Sequence, residues 1–196
     1  MEFVAEMKFN PHYELIDRHA FLSASNYHWL NYDEEKLRNA YAKSQAQYRG
    51  TALHDFAKQA IQLGIKLPKR KNPLNQFVND AIGYRMAPEQ ILFYSYNAFG
   101  TADAISFRNN LLRVHDLKTG LTRVSMAQLE VYCGLFCLEY EHLPKNIDIE
   151  LRIYQTSKII IHEPPHTDIR RIMEKIMFFD KKIEEFKSEE YNPWLQ

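Results

Sequence analysis

"FGTADAISFRNNLLRVHDLKTG" (residues 99–120) sets two aspartates, Asp103 and Asp116, and a lysine, Lys118, inside an otherwise apolar stretch. "TADAISF" and "LLRVHDL" have strand composition, and "RNN" between them reads as a turn. Residues 90–97, "QILFYSYN", supply a further aromatic-rich strand, so a three-stranded antiparallel meander is expected, stopped by Gly120. Side chains two positions apart on a strand share a face, which puts Asp116 and Lys118 together. The numbers of Asp103 and Asp116 are centred on the turn near Asn109, so pairing of the two strands brings the carboxylates opposite one another.

Upstream of the meander, helical composition runs from about Asp33 to Leu63, with Gly50 interrupting it. In its later half Leu53, Phe56, Ala57, Ala60, Ile61 and Leu63 make an apolar stripe, and His54 sits beside it. "LSASNYHWL" (residues 22–30) carries serine caps before a short helix, "KLPKRKNP" (66–73) is a basic loop broken by two prolines, and residues 74–86 predict another short helix. Downstream, residues 125–143 predict a helix capped by Ser125, closed by Pro144 and apolar on most sides, as a helix packed against a sheet is. "DIELRIYQ" (148–155) and "SKIIIHE" (157–163) are strands, and 167–188 is an amphipathic final helix. This order predicts a mixed α/β, or α+β, architecture with one sheet between helices. Without repeats, low-complexity tracts or linkers, residues 1–196 read as a single domain.

A chain of 196 residues with 45% apolar and 26% charged side chains has enough material for a real core. Twenty-five basic and 25 acidic residues cancel, so any nucleic-acid surface has to be local. Cys133 and Cys137, four apart on a helix, cannot make a disulfide framework, which leaves a cytoplasmic compartment as the expectation. The N-terminus "MEFVAEMKFN" does not read as a signal peptide, and no apolar run approaches 18 residues, so no membrane span is expected.

Two facing carboxylates repel, and burial raises the cost. A divalent cation resolves the conflict, since hard oxygen ligands suit magnesium or manganese. The bland reading of the same residues is a surface ion pair between Lys118 and either aspartate. His54 taken alone reads as a satisfied core histidine, and Gln128 and Tyr132 as ordinary helix-surface residues. "HEPPH" (162–166) fits the H-E-x-x-H spacing of zinc proteases, but Pro164 and Pro165 prevent the helix that motif needs.

Asp103 in "GTAD", Asp116 and Lys118 in "HDLKTG", and Gln128 with Tyr132 in "QLEVY" resemble the motif series of RecB-type nucleases in the PD-(D/E)XK superfamily. "LSASNYHWL" is similar to that family's opening and "RGTALHDFA" (49–57) to its first catalytic motif, so the resemblance covers roughly residues 20–160. It implies a restriction-endonuclease-like core with a central mixed sheet. It also implies that His54, Asp103, Asp116 and the backbone carbonyl of Leu117 hold Mg2+ or Mn2+, and that Lys118 is catalytic. Gln128 and Tyr132, at i and i+4, would contact the lysine, the metal shell or a phosphate. Many relatives carry an iron–sulfur cluster on four cysteines; two cysteines on one helix cannot supply it, so the likeness is to phage-type members, and Cys133 and Cys137 read as core filler.

The activity implied is metal-dependent hydrolysis of DNA phosphodiesters, as an exonuclease in recombination, repair or replication, in a bacterial or phage-infected cytosol. Lys66, Lys69, Arg70, Lys71 and Arg85 are candidate phosphate contacts, although the basic loop also reads as a solvated connection. A homo-oligomer, or a recombination or replication protein as partner, is compatible with this reading. The alternative is a catalytically silent nuclease-fold protein that binds nucleic acid or a protein partner.

Overall fold

Asn109 and Asn110 take left-handed backbone angles (φ 51° and 62°), the geometry of a tight two-residue hairpin turn that asparagine tolerates better than most residues. They join β2 (Ala98–Arg108) to β3 (Leu111–Lys118), and β1 (Ala87–Ser95) completes the expected antiparallel meander. The computed structural model describes residues 21–22, 27–120, 125–156 and 158–190. The N-terminal 20 residues and the serine caps Ser23 and Ser25 lie outside the described residues; Tyr27–Asn31 is a 3-10 turn.

α1 (Glu34–Gln62) is a single helix that runs through Gly50. Asp33 caps it by accepting the Lys36 amide at 2.7 Å. One glycine costs a helix about 1 kcal/mol, too little to break 29 residues. The apolar stripe is also narrower than expected: Ala57, Ala60 and Ile61 are buried, while Leu53, Phe56 and Leu63 are exposed. The chain divides between Tyr48 and Arg49 into two compact units, so the division falls inside α1, where composition gives no linker signal.

α2 (Pro73–Gly83) starts where proline's missing N–H does no harm, and Asn72 Oδ1 accepts from the Leu74 and Asn75 amides. After β3 come α3 (Ala127–Glu139), a 3-10 turn at Pro144–Asn146, β4 (Asp148–Gln155), β5 (Lys158–His162) and α4 (His166–Glu190). Ser125 Oγ accepts the Ala127 amide at 3.2 Å, although the residue at the cap itself is Met126. The sheet order is β1-β2-β3-β4-β5, with β3 and β4 parallel and every other pair antiparallel. The chain is therefore mixed α+β, with a five-stranded mixed sheet.

α2 packs on β3 and β4, whereas α3 packs on β1, β2 and β3 with α4 over it. That double cover explains why α3 is apolar nearly all round: Leu129, Cys133, Leu135 and Cys137 are all buried. Gly134 permits the close approach of α4, because a Cβ there would sit 3.0 Å from Ile172 Cγ2. Burial pushes the Cys137 thiol up to about 11 and Cys133 well above the usual range, in keeping with core filler. The "HEPPH" stretch is no helix: His162 ends β5 and His166 begins α4. Among the described residues no helix is long and apolar enough to cross a membrane.

Candidate metal centre

The β2–β3 ladder runs from Arg108↔Leu111 to Ala104↔His115 and then stops. Asp103 and Asp116 occupy the next step of that register. The Leu117 amide, left without a ladder partner there, donates to Asp103 Oδ2 at 2.8 Å. The carboxylate thus stands where the two strands part company.

On the other side of β2, Pro88 pairs with Ala104 and Gln90 with Ala102, which puts Glu89 level with Asp103. Glu89 takes φ 50°, a left-handed angle inside a strand. Such a conformation costs a non-glycine residue on the order of 1–3 kcal/mol, and it persists only where the surroundings over-determine it. From α1, His54 Nδ1 reaches Asp103 Oδ2 at 3.3 Å. Ligand atoms of His54, Glu89 and Asp103 all lie within 4.8 Å of one another.

Gly50 explains how α1 comes so near. A Cβ there would lie 3.0 Å from Thr119 Oγ1, just past the end of β3. Gly50 and His54 are four apart and share a helix face. The residue read as a helix breaker is therefore a close-approach point that sets His54 over Asp103.

Asp116 is 2% exposed. Its Oδ1 accepts from Lys118 Nζ at 3.0 Å, and its buried Oδ2 has no hydrogen-bond partner among the described residues. Lys118 Nζ also donates to Gln128 Oε1 at 2.9 Å, and Gln128 Nε2 donates to Tyr132 Oη at 3.0 Å. The Tyr132 ring lies over Gly100, where a Cβ would come within 2.9 Å of Cε1. Asp116, Lys118, Gln128 and Tyr132 thus form one hydrogen-bonded chain, beside the His54–Glu89–Asp103 cluster rather than inside it.

Electrostatics mark the same place. Three carboxylates, Glu89, Asp103 and Asp116, gather around Lys118 and His54, with the charge of Lys58 also acting on Glu89. Burial, then the Asp103 charge, raises the carboxyl pKa of both Glu89 and Asp116. His54 is raised mainly through its hydrogen bond to Asp103. A divalent cation suits this donor set: imidazole and carboxylates lie within reach of one another, and an orphaned carboxylate oxygen stands nearby.

Of the residues singled out from sequence, His54, Asp103, Asp116, Leu117, Lys118, Gln128 and Tyr132 come together. Glu89 is the one that sequence reading missed. Counting back from the β1–β2 turn on the Ser95↔Ala98 pair would have put Gln90 opposite Asp103; the register shift between Phe93 and Ser95 puts Glu89 there instead. Lys66, Lys69, Arg70 and Lys71 are exposed on the α1–α2 loop. That loop leads to Asn72 and Pro73, which line a cavity of about 270 Å³ together with Leu117, Lys118 and Gly120. Arg85 is elsewhere, beside Arg108 and Asn109 at the hairpin end of the sheet. No family model, no curated protein and no solved structure matches this chain.

Proposed function

We propose that the protein is a divalent-metal-dependent nuclease that hydrolyses phosphodiester bonds in DNA. The observation that carries this reading is the crowding of three carboxylates, Glu89, Asp103 and Asp116, at one place beside Lys118 and His54, with the buried Asp116 Oδ2 unpartnered among the described residues. A purely structural ion pair would not leave a buried carboxylate oxygen bare, since that costs about 1–3 kcal/mol or more. The order helix, three-stranded meander, helix, strand parallel to β3 supports a restriction-endonuclease-like core, and the motif series supports the RecB-like family.

His54, Glu89 and Asp103 would hold Mg2+ or Mn2+, with Asp116 and the Leu117 carbonyl completing its shell. When bound, the cation supplies Lewis-acid charge for the phosphate and makes water more acidic. Lys118 uses two of its three N–H groups on Asp116 and Gln128, and the third is free to hold a phosphate oxygen or orient the attacking water. Gln128 fixes the ammonium in place, and Tyr132 in turn fixes Gln128. Water adds to phosphorus as the P–O bond to the leaving oxygen breaks, and the leaving oxygen takes up a proton. An exonuclease role in recombination, repair or replication follows from the family likeness.

The test is cleavage of end-labelled single-stranded, linear duplex and circular DNA with Mn2+, Mg2+ or chelator, alongside Lys118→Ala. Metal-dependent cutting that disappears in the variant is the expected result. Well-folded protein that is stabilised by Mn2+ and cuts nothing would overturn it in favour of a catalytically silent nucleic-acid or protein binder.

A further inference from the structure

A second polar feature lies at the far end of the sheet. β3 runs from Leu111 to Lys118, and Leu111 at its hairpin end stands five residues, roughly 17 Å, from Asp116 at the candidate metal centre. A cavity of about 590 Å³ opens there, and Arg85, Arg108 and Arg113 all line it. The exposed guanidiniums of Arg85 and Arg108 have no ion pair among the described residues, and both side chains also line an adjoining hollow of about 240 Å³. Arg113 sits over the Tyr84 ring, its guanidinium carbon 4.4 Å from the centroid. Its Nε donates to Glu150, while its two Nη groups donate to no acceptor among the described residues. Asp148 is the one acidic side chain of the lining and pairs with none of the three.

Arg85 lies in the turn between α2 and β1, and Arg108 ends β2, so both flank the same end of the sheet and line the same cavity. The C-terminal dipole of α2 favours a cation at Arg85 but does nothing for Arg108. Arg85 is moreover held at φ 52°, where a long side chain is unfavourable and glycine would be relaxed. A cleft with three guanidiniums, two of them unpaired and one clamped by a ring and a carboxylate, matches a doubly charged oxyanion, which planar forks bind with paired hydrogen bonds.

We infer that the Arg85–Arg108–Arg113 cleft is an anion site for a phosphate group, distinct from the metal centre. The phosphate belongs either to a nucleic-acid backbone or to a small phosphorylated ligand. The inference does not rest on nuclease activity, because none of these arginines touches the metal centre.

The experiment is titration of the full chain, in chelator, with inorganic pyrophosphate and, separately, with short duplex DNA over a range of salt. Wild type is compared with the Arg85→Gln/Arg108→Gln double variant, whose ligand-free Tm should match wild type because both side chains are exposed. Pyrophosphate binding that weakens about tenfold or more in the variant supports the site. If the source is nucleic acid, the slope of log K against log salt also falls by about two. An unchanged slope with lost pyrophosphate binding assigns the site to a small ligand. Binding of both probes at wild-type strength by the variant, or of neither by wild type, overturns the inference.

Discussion

His115 and Asp116 are neighbours on β3, yet they belong to two polar clusters of opposite character. His115 is fully buried on the α2 side, where Nδ1 lies 3.2 Å from Tyr154 Oη, and that hydroxyl donates to Asp80 at 2.7 Å. Arg152 reaches Asp80, Glu150 and Tyr84, and Arg113 reaches Glu150. Two acids meet two arginines there, and the charges cancel. Around Asp116, three carboxylates crowd together with Lys118 and His54. Both clusters leave an orphan atom, but His115 Nε2 belongs to a neutral ring and Asp116 Oδ2 to a carboxylate.

The two histidines make the same point. Burial, then the charges of Arg152 and Arg113, lowers His115 to about 3, so it stays neutral and inert. His54 is raised by Asp103. Depth of burial therefore does not separate the two clusters; the kind of charge gathered around each does.

Lys118→Ala strikes the unbalanced side. Cleavage should fall by about 10²–10³-fold, as when one preorganised transition-state donor is lost, while the chain still folds cooperatively with a lowered Tm, because buried Asp116 loses its cation. A collapse of the fold instead would make the two clusters alike. Arg152→Ala strikes the balanced side: it leaves Asp80 without its arginine and Glu150 with Arg113 alone, so denaturant unfolding should show a loss of about 3 kcal/mol with manganese-dependent stabilisation retained.

Manganese alone should distinguish the clusters. At about 100 times its Kd it should stabilise wild type by ~2.7 kcal/mol and Glu89→Gln by clearly less. Equal stabilisation would remove Glu89 from the ligand set.

The smallest effect concerns acid. Folded His115 binds fewer protons than the unfolded chain between about pH 3 and 6.5, so stability rises with pH across that window and levels off above it. His115 should thus cost about 2 kcal/mol at pH 5 relative to pH 8. His115→Gln, measured by urea unfolding at both values, should lose that difference.

Much of this was legible in the residues because it is local. The two-asparagine turn sets the β2–β3 register, and that register alone brings Asp103 level with Asp116. Gln128 and Tyr132 follow from helix periodicity. Glu89 was not legible, because its role depends on a left-handed angle inside a strand that otherwise looks regular. Gly50 misled for a related reason: its propensity argues for a break, while its actual use is contact with Thr119, which is 69 positions away.

The two-asparagine turn, strand alternation and the amphipathic last helix arise from interactions within a few residues, and local sequence pattern carried them, whereas the cap of α3 fell on Met126 and not on Ser125. The parallel pairing of β4 with β3, the burial of α3 on two sides, the convergence of Arg85 with Arg108 and the sorting of His115 from Asp116 did not follow from any local pattern. They depend on packing between distant segments, where the free energy of burying and pairing charge outweighs the preference of any single residue.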